Sequence, residues 1–213
     1  MTNLLRLADS HLLLDGFEEF VRHWLDDPQP VPVPEPTEAQ RNWLKLHAPE
    51  VEKYWQMVHR WPGASLDGAQ DSFVGLFVTR EDWEVKNVPL VYENQGCWTI
   101  SWNSESKDLW CGDADQERID ITISHFLVTF GLYNLVVANW GEVFLEPGER
   151  VSASIEAQSN LIWEGPYHPG QSFEFFYLGE KSLLWYHDSY DFTIFGSTDP
   201  STEDWLLEQL RNA

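Results

Sequence analysis

The sequence predicts an α+β protein whose central sheet is antiparallel or mixed and covered by helices. Three observations predict it. Apolar residues recur at helical spacing through the first sixty positions, the period then changes to two near Val88, and an uncharged stretch of helix length separates two groups of β-rich runs. The chain has 213 residues, so it is expected to form one main domain from Thr37 to Ala213 behind a leading helix and connector over 1–36.

The elements follow in order. Phe17, Phe20, Val21, Trp24 and Leu25 behind Asp15 predict a helix from Gly16 to Asp26. Pro28, Pro30, Pro32, Pro34 and Pro36 then remove every second backbone donor, which predicts a stiff extended connector. Thr37 with Gln40 reads as a capping box, and Pro49 opens a second helix through Val51, Tyr54, Trp55 and Val58 that stops at Trp61-Pro62-Gly63.

Val88–Tyr92 and Cys97–Trp102, separated by Glu93-Asn94-Gln95-Gly96, predict a hairpin. Trp98, Ile100 and Trp102 share its buried face, and Pro89 places the first run at an edge or near a strand end. Asp108–Cys111 is a third strand. Ile121–Gly141 contains no Asp, Glu, Lys or Arg, yet its Thr, Ser, His and Asn residues and its acidic flanks, Asp120 and Glu142, argue for a core helix rather than a membrane span. That helix is expected to cover one sheet built from 88–111 together with the strands Phe173–Leu178, Leu183–His187 and Phe192–Gly196. Ser201 with Asp204 caps a last helix through Leu210.

Composition excludes several functions. Thirteen Lys plus Arg against 35 Asp plus Glu give a formal net charge of −22. That field opposes contact with nucleic-acid phosphates and with anionic membranes. The excess is even, with 21 acids and 10 bases in residues 1–118 and 14 and 3 in the remainder, as on a folded surface rather than a tail. Cys97 and Cys111 are too few for a disulfide framework and point to reduced thiols in the cytoplasm. The start, with Asp9 inside its leucine run, does not have the pattern of a signal peptide.

Reaction motifs are few. There is no phosphate-cradling glycine loop, no His-Glu-x-x-His and no Gly-x-Ser-x-Gly. Gln95-Gly96-Cys97-Trp98 looks superficially like a papain-type cysteine, but its Gln and Cys are too close and the Cys opens a strand instead of a helix. Asp113, Asp115 and Glu117 alternate like calcium-loop ligands, while Arg118 stands where the turn needs Gly and Ser124 where a bidentate carboxylate belongs. A solvated acidic turn accounts for them, and a polar turn accounts for His187, Asp188 and Asp191. No cofactor or metal is called for. Twelve Trp suit a carbohydrate platform and Glu142 with Glu146 a glycosidase pair, but nothing selects one pair among 35 acids. Trp24, Trp55, Trp98 and Trp102 lie on apolar faces, whereas Trp61, Trp83 and Trp110 fall at element ends where exposure is expected.

Val91-Tyr92-Glu93-Asn94-Gln95-Gly96, with Trp98 and Trp102 behind it, resembles the Glu-Asn-Gln-Gly signature of the SUKH superfamily. These are bacterial immunity-type proteins related to the fungal cell-wall-synthesis regulator. Trp61-Pro62-Gly63, Asp108-Leu109-Trp110-Cys111 and Ser124-His125-Phe126-Leu127 resemble the family's flanking segments in the same order, over about Thr37 to Ala138. The resemblance implies an α+β scaffold without an active site that binds a toxin, often a nuclease, and neutralises it by contact. An acidic surface is complementary to such a basic partner. Glu93, Asn94, Gln95, Trp110, Asp113, Asp115 and Glu117 are the candidate partner-binding residues, and the alternatives are an intracellular scaffold or regulator, or a hydrolase or carbohydrate-binding protein using exposed Trp and paired carboxylates.

Overall fold

The computed structural model describes residues 4–35, 37–68, 72–73, 87–93, 95, 97–112, 117–145, 159–168, 171–178, 181–187 and 192–211. The first helix, α1 (Leu13–Trp24), follows a 3-10 turn at Leu4–Leu7. It begins earlier than expected because Leu13 and Leu14 extend the buried face formed by Phe17, Phe20, Val21 and Trp24, so Asp15 lies inside the first turn and not at its cap. Asp26 and Asp27 end it at φ of 62° and 50°. Lys181 reaches from the far end of the chain to the carbonyls of His23 (2.6 Å) and Trp24 (3.1 Å), capping that end with a cation.

Residues 28–35 form neither helix nor strand and return to the body where the Val31 amide donates to the Arg60 carbonyl at 3.1 Å. The helices α2 (Glu38–His47) and α3 (Pro49–Arg60) are parted by Ala48, which sits at φ −152° because the ring of Pro49 disfavours helical backbone in the residue before it. Trp61, expected to be exposed, is 4% exposed. Its indole N–H donates to the Glu18 carboxylate at 2.9 Å, and Arg60 pairs with the same oxygen, so α1 and α3 are tied together there.

Two five-stranded antiparallel sheets take the place of the expected single one. The first runs β1 (Ser72–Phe73), β2 (Asn87–Tyr92), β3 (Thr99–Asn103), β4 (Leu109–Cys111) and β5 (Glu117–Ile119), in that order. The second contains β6 (Trp140–Leu145), β7 (Ser159–His168), β8 (Gln171–Leu178), β9 (Ser182–His187) and β10 (Phe192–Ser197), in the order β6-β10-β9-β8-β7. The expected hairpins are present, and Ile100 and Trp102 face the core. Pro89 is the third residue of β2. It lies beside a bulge at Leu90 in the β2–β3 pairing, and among the described residues β1 pairs with β2 at Val91 and Tyr92.

The uncharged segment explains the division. It forms α4 (Ile123–Ala138), in which twelve of sixteen residues are buried. A helix apolar on every side needs cover on every side. Strands β7, β9 and β10 pack against one flank and α1 and α3 against another, while Phe73 of β1 meets Phe130 at 6.2 Å. Two glycines permit this closeness. A Cβ at Gly131 would lie 2.5 Å from the Phe17 ring, and one at Gly196 would lie 2.6 Å from the Val136 carbonyl oxygen.

The last helix, α5 (Pro200–Arg211), packs on β6 and β10. Its cap is Asp199 rather than the expected Ser201: the Asp199 carboxylate accepts the Ser201 amide at 3.0 Å and the hydroxyls of Ser201 and Thr202 at 2.8 Å. Pro200, with no N–H to satisfy, suits the first helical position. Among the described residues no helix is long and apolar enough to cross a membrane.

Candidate functional site

Antiparallel order brings the connections β2–β3 and β4–β5 to the same end of the first sheet. Tyr92 pairs with Thr99 and Cys111 with Glu117, and the Gly112 amide donates to the Thr99 carbonyl at 3.0 Å. Glu93, Gln95 and Glu117 therefore share one end, which the sequence does not show because they stand up to 24 positions apart. Asn94, Asp113 and Asp115 lie outside the described residues, as does Trp83.

Glu93 organises this end. Its Oε2 accepts the backbone N–H groups of Gln95 (3.0 Å) and Cys97 (2.9 Å), and its own amide donates to the Trp98 carbonyl at 3.2 Å. This carboxylate satisfies two amide donors that lie between the paired strands. Trp98 is half-buried and meets Tyr167 edge to face at 5.8 Å, which joins the turn to the second sheet. Glu93 and Trp98 thus shape the loop, while Gln95 and Tyr92 are exposed.

Trp110 is half-buried at mid-strand in β4, between Ser101 and Arg118, on the face opposite the buried Leu109 and Cys111. Arg118 is held by Asp108 and Asp120, each at 3.2 Å. Cys97 is exposed and Cys111 buried, and the two are not joined in a disulfide. Cys97 follows a turn and precedes β3, so it does not stand at the helix N-terminus that a papain-type nucleophile uses.

Two concave surfaces lie away from the turn at Glu93. A cleft of about 590 Å³ opens at the opposite end of the first sheet, between the α2–α3 corner, the β3–β4 turn and the start of α4. There Lys107, at φ 62°, donates to the His47 carbonyl at 2.6 Å and lies 5.9 Å from the centre of the Trp102 ring. A groove of about 750 Å³ separates α1 from the proline segment, with Asp15, Glu18, Glu19 and Asp27 facing Arg22 and Arg60. No signal local in sequence marks either, since both assemble from distant segments.

Among the described residues, three groups have displaced acidities. Burial, with help from Asp67, holds the Tyr54 hydroxyl well above the usual phenol range, and it donates to the Leu66 carbonyl at 2.9 Å. Burial lowers His125 below the ordinary histidine range, against a smaller upward pull from Asp9. The hydroxyls of Ser201 and Thr202 hold Asp199 below the usual carboxylate value.

No family model matches the chain, and neither a curated protein nor a solved structure matches it.

Proposed function

We propose that this chain is a non-catalytic protein-binding module of the immunity type that the SUKH resemblance implies, neutralising a basic protein toxin by direct contact in the cytoplasm. The observation that carries the reading is the formal net charge of −22 spread evenly along the chain, which raises the encounter rate of a basic partner. The gathering of exposed Tyr92, Gln95 and Glu117 at one end of the first sheet, with Trp110 on the adjoining face, supports that end as the contact surface. Aromatic side chains there supply the desolvated centre of an interface, and surrounding carboxylates steer the approach.

The test is capture of partners on the immobilised full chain, followed by association and dissociation kinetics with the identified protein. The partner is expected to be basic. Raising ionic strength to about 0.5 M, where the Debye length is a few ångström, slows association strongly and changes dissociation far less. Reversing charge at Asp113, Asp115 and Glu117 lowers the on-rate, whereas Trp110→Ala raises the off-rate. An acidic partner, or association indifferent to salt, overturns the steering argument. Turnover of generic esterase, phosphatase, protease or glycosidase substrates that disappears in Cys97→Ala overturns the non-catalytic reading.

A further inference from the structure

The first turn of α4 and the outer strand β7 meet at a closed polar ring. The His125 Nδ1 lies 2.7 Å from the Thr122 Oγ1, which also accepts the His125 amide at 3.3 Å as the helix cap. The imidazole stacks on the Trp163 indole with centroids 5.3 Å apart and planes 28° from parallel. The Trp163 Nε1 donates to the Thr129 hydroxyl at 2.8 Å, and that hydroxyl donates to the His125 carbonyl at 3.0 Å. Gly165 completes the fit, because a Cβ there would lie 2.7 Å from the Thr129 Oγ1 and 3.2 Å from the Trp163 Nε1.

We propose that His125 is a pH-sensitive latch that fastens β7 to the start of α4 when neutral and loosens that junction when protonated. Protonation turns both ring nitrogens into donors, so the Thr122 hydroxyl can no longer donate to Nδ1. It also places a positive charge in the first turn of a sixteen-residue helix, where the free amides already present their positive ends. α4 carries no acidic side chain in that turn to compensate. Among the described residues of the other packed elements, Asp9 is the charged group that acts on the ring; Asp120 is engaged by Arg118, and Glu164 is exposed beside the buried Trp163, on the opposite side of β7. The indole face and Asp9 favour the charged ring, but burial outweighs them and lowers its proton affinity. A histidine less basic folded than unfolded stabilises the fold above the unfolded value of about 6.5, and that contribution is lost as pH falls towards the folded value.

The experiment is hydrogen exchange of β7 in the full chain at pH 7 and pH 5, corrected for intrinsic rates, beside an NMR titration of the His125 ring. Wild-type protection in 159–168 is expected to fall severalfold at the lower pH along the His125 titration, and His125→Gln to show no such fall. An equal fall in His125→Gln, or none in the wild type, overturns the proposal. Should the variant not fold, the wild-type titration decides alone: a His125 value at or above about 6.5 overturns the latch, and a lower one with loss of β7 protection supports it.

Discussion

Glu93 shows how a motif residue and an interface residue are told apart. Its carboxylate is engaged by two amides of its own loop, so its replacement acts first on folding. Glu93→Ala is expected to cost about 1–2 kcal/mol in urea unfolding, because two amides lose a charged acceptor, and Glu93→Gln less, because one acceptor oxygen survives. Asp199 is the second residue of this kind. Hydrogen bonds from the hydroxyls of Ser201 and Thr202, then from the Ser201 amide, lower its pKa in the fold. A carboxylate depressed in this way stabilises the fold above its unfolded value of about 4, and the contribution is lost as pH falls through the folded value. Thermal melts between pH 5 and pH 2.5 are therefore expected to show an acid-labile component in the wild type that is smaller in Asp199→Asn. The motif at Glu93 is legible in the sequence, but its role is not, since the chain does not say which way a carboxylate turns. Asp199 stands two residues before Ser201, which has the same capping chemistry and so masks it.

At the level of elements, what can be read is what repeats locally. The helices α1, α3 and α4 carry apolar residues at the spacing that buries one face or all faces, and their packing keeps that pattern. Strands β6 and β7 are not among the expected elements, and for β7 the reason is physical. It is bulged between Leu161 and Trp163 and again between Pro166 and His168, so its apolar residues lose the period of two, and Gly165 and Pro166 read as a turn. The three residues of β5 include two charges and present no pattern at all. Partition into two sheets is equally hidden, since pairing of β6 with β10 joins segments with three strands between them. Gly196 marks where β10 meets α4 most closely, and Gly196→Ala is expected to destabilise by about 2 kcal/mol, since a Cβ would meet the Val136 backbone and not the yielding end of a side chain. Chemical denaturation measures it, and an unchanged midpoint contradicts the contact.

For the whole molecule charge matters most. A formal excess of −22 within one folded chain repels itself, and pairing relieves it little, since Asp26, Asp120 and Glu35 remain largely exposed even where they meet a cation. Added sodium chloride is therefore expected to raise the melting temperature between 20 and about 200 mM, the range over which the Debye length falls below the spacing of surface charges. A flat or falling Tm would mean that local pairs outweigh the general repulsion. This charge is the most legible property of the sequence and the one that bears most directly on the proposed partner. The surface that would use it is only half legible, because Gln95 and Glu117 meet through sheet order alone.

The clamp of Lys181 on the end of α1 gives the chain a direction in time. During synthesis the first helix leaves the ribosome early, while the ammonium that closes its last turn, and the strand β10 that seals β6, are still to be translated. Nascent chains halted before Lys181 must therefore hold α1 with its carbonyls open to water and β6 without the strand it pairs with. Such chains are the ones that chaperones and proteases will find, and release of the finished chain, rather than emergence of its first half, sets the moment at which it becomes resistant to digestion.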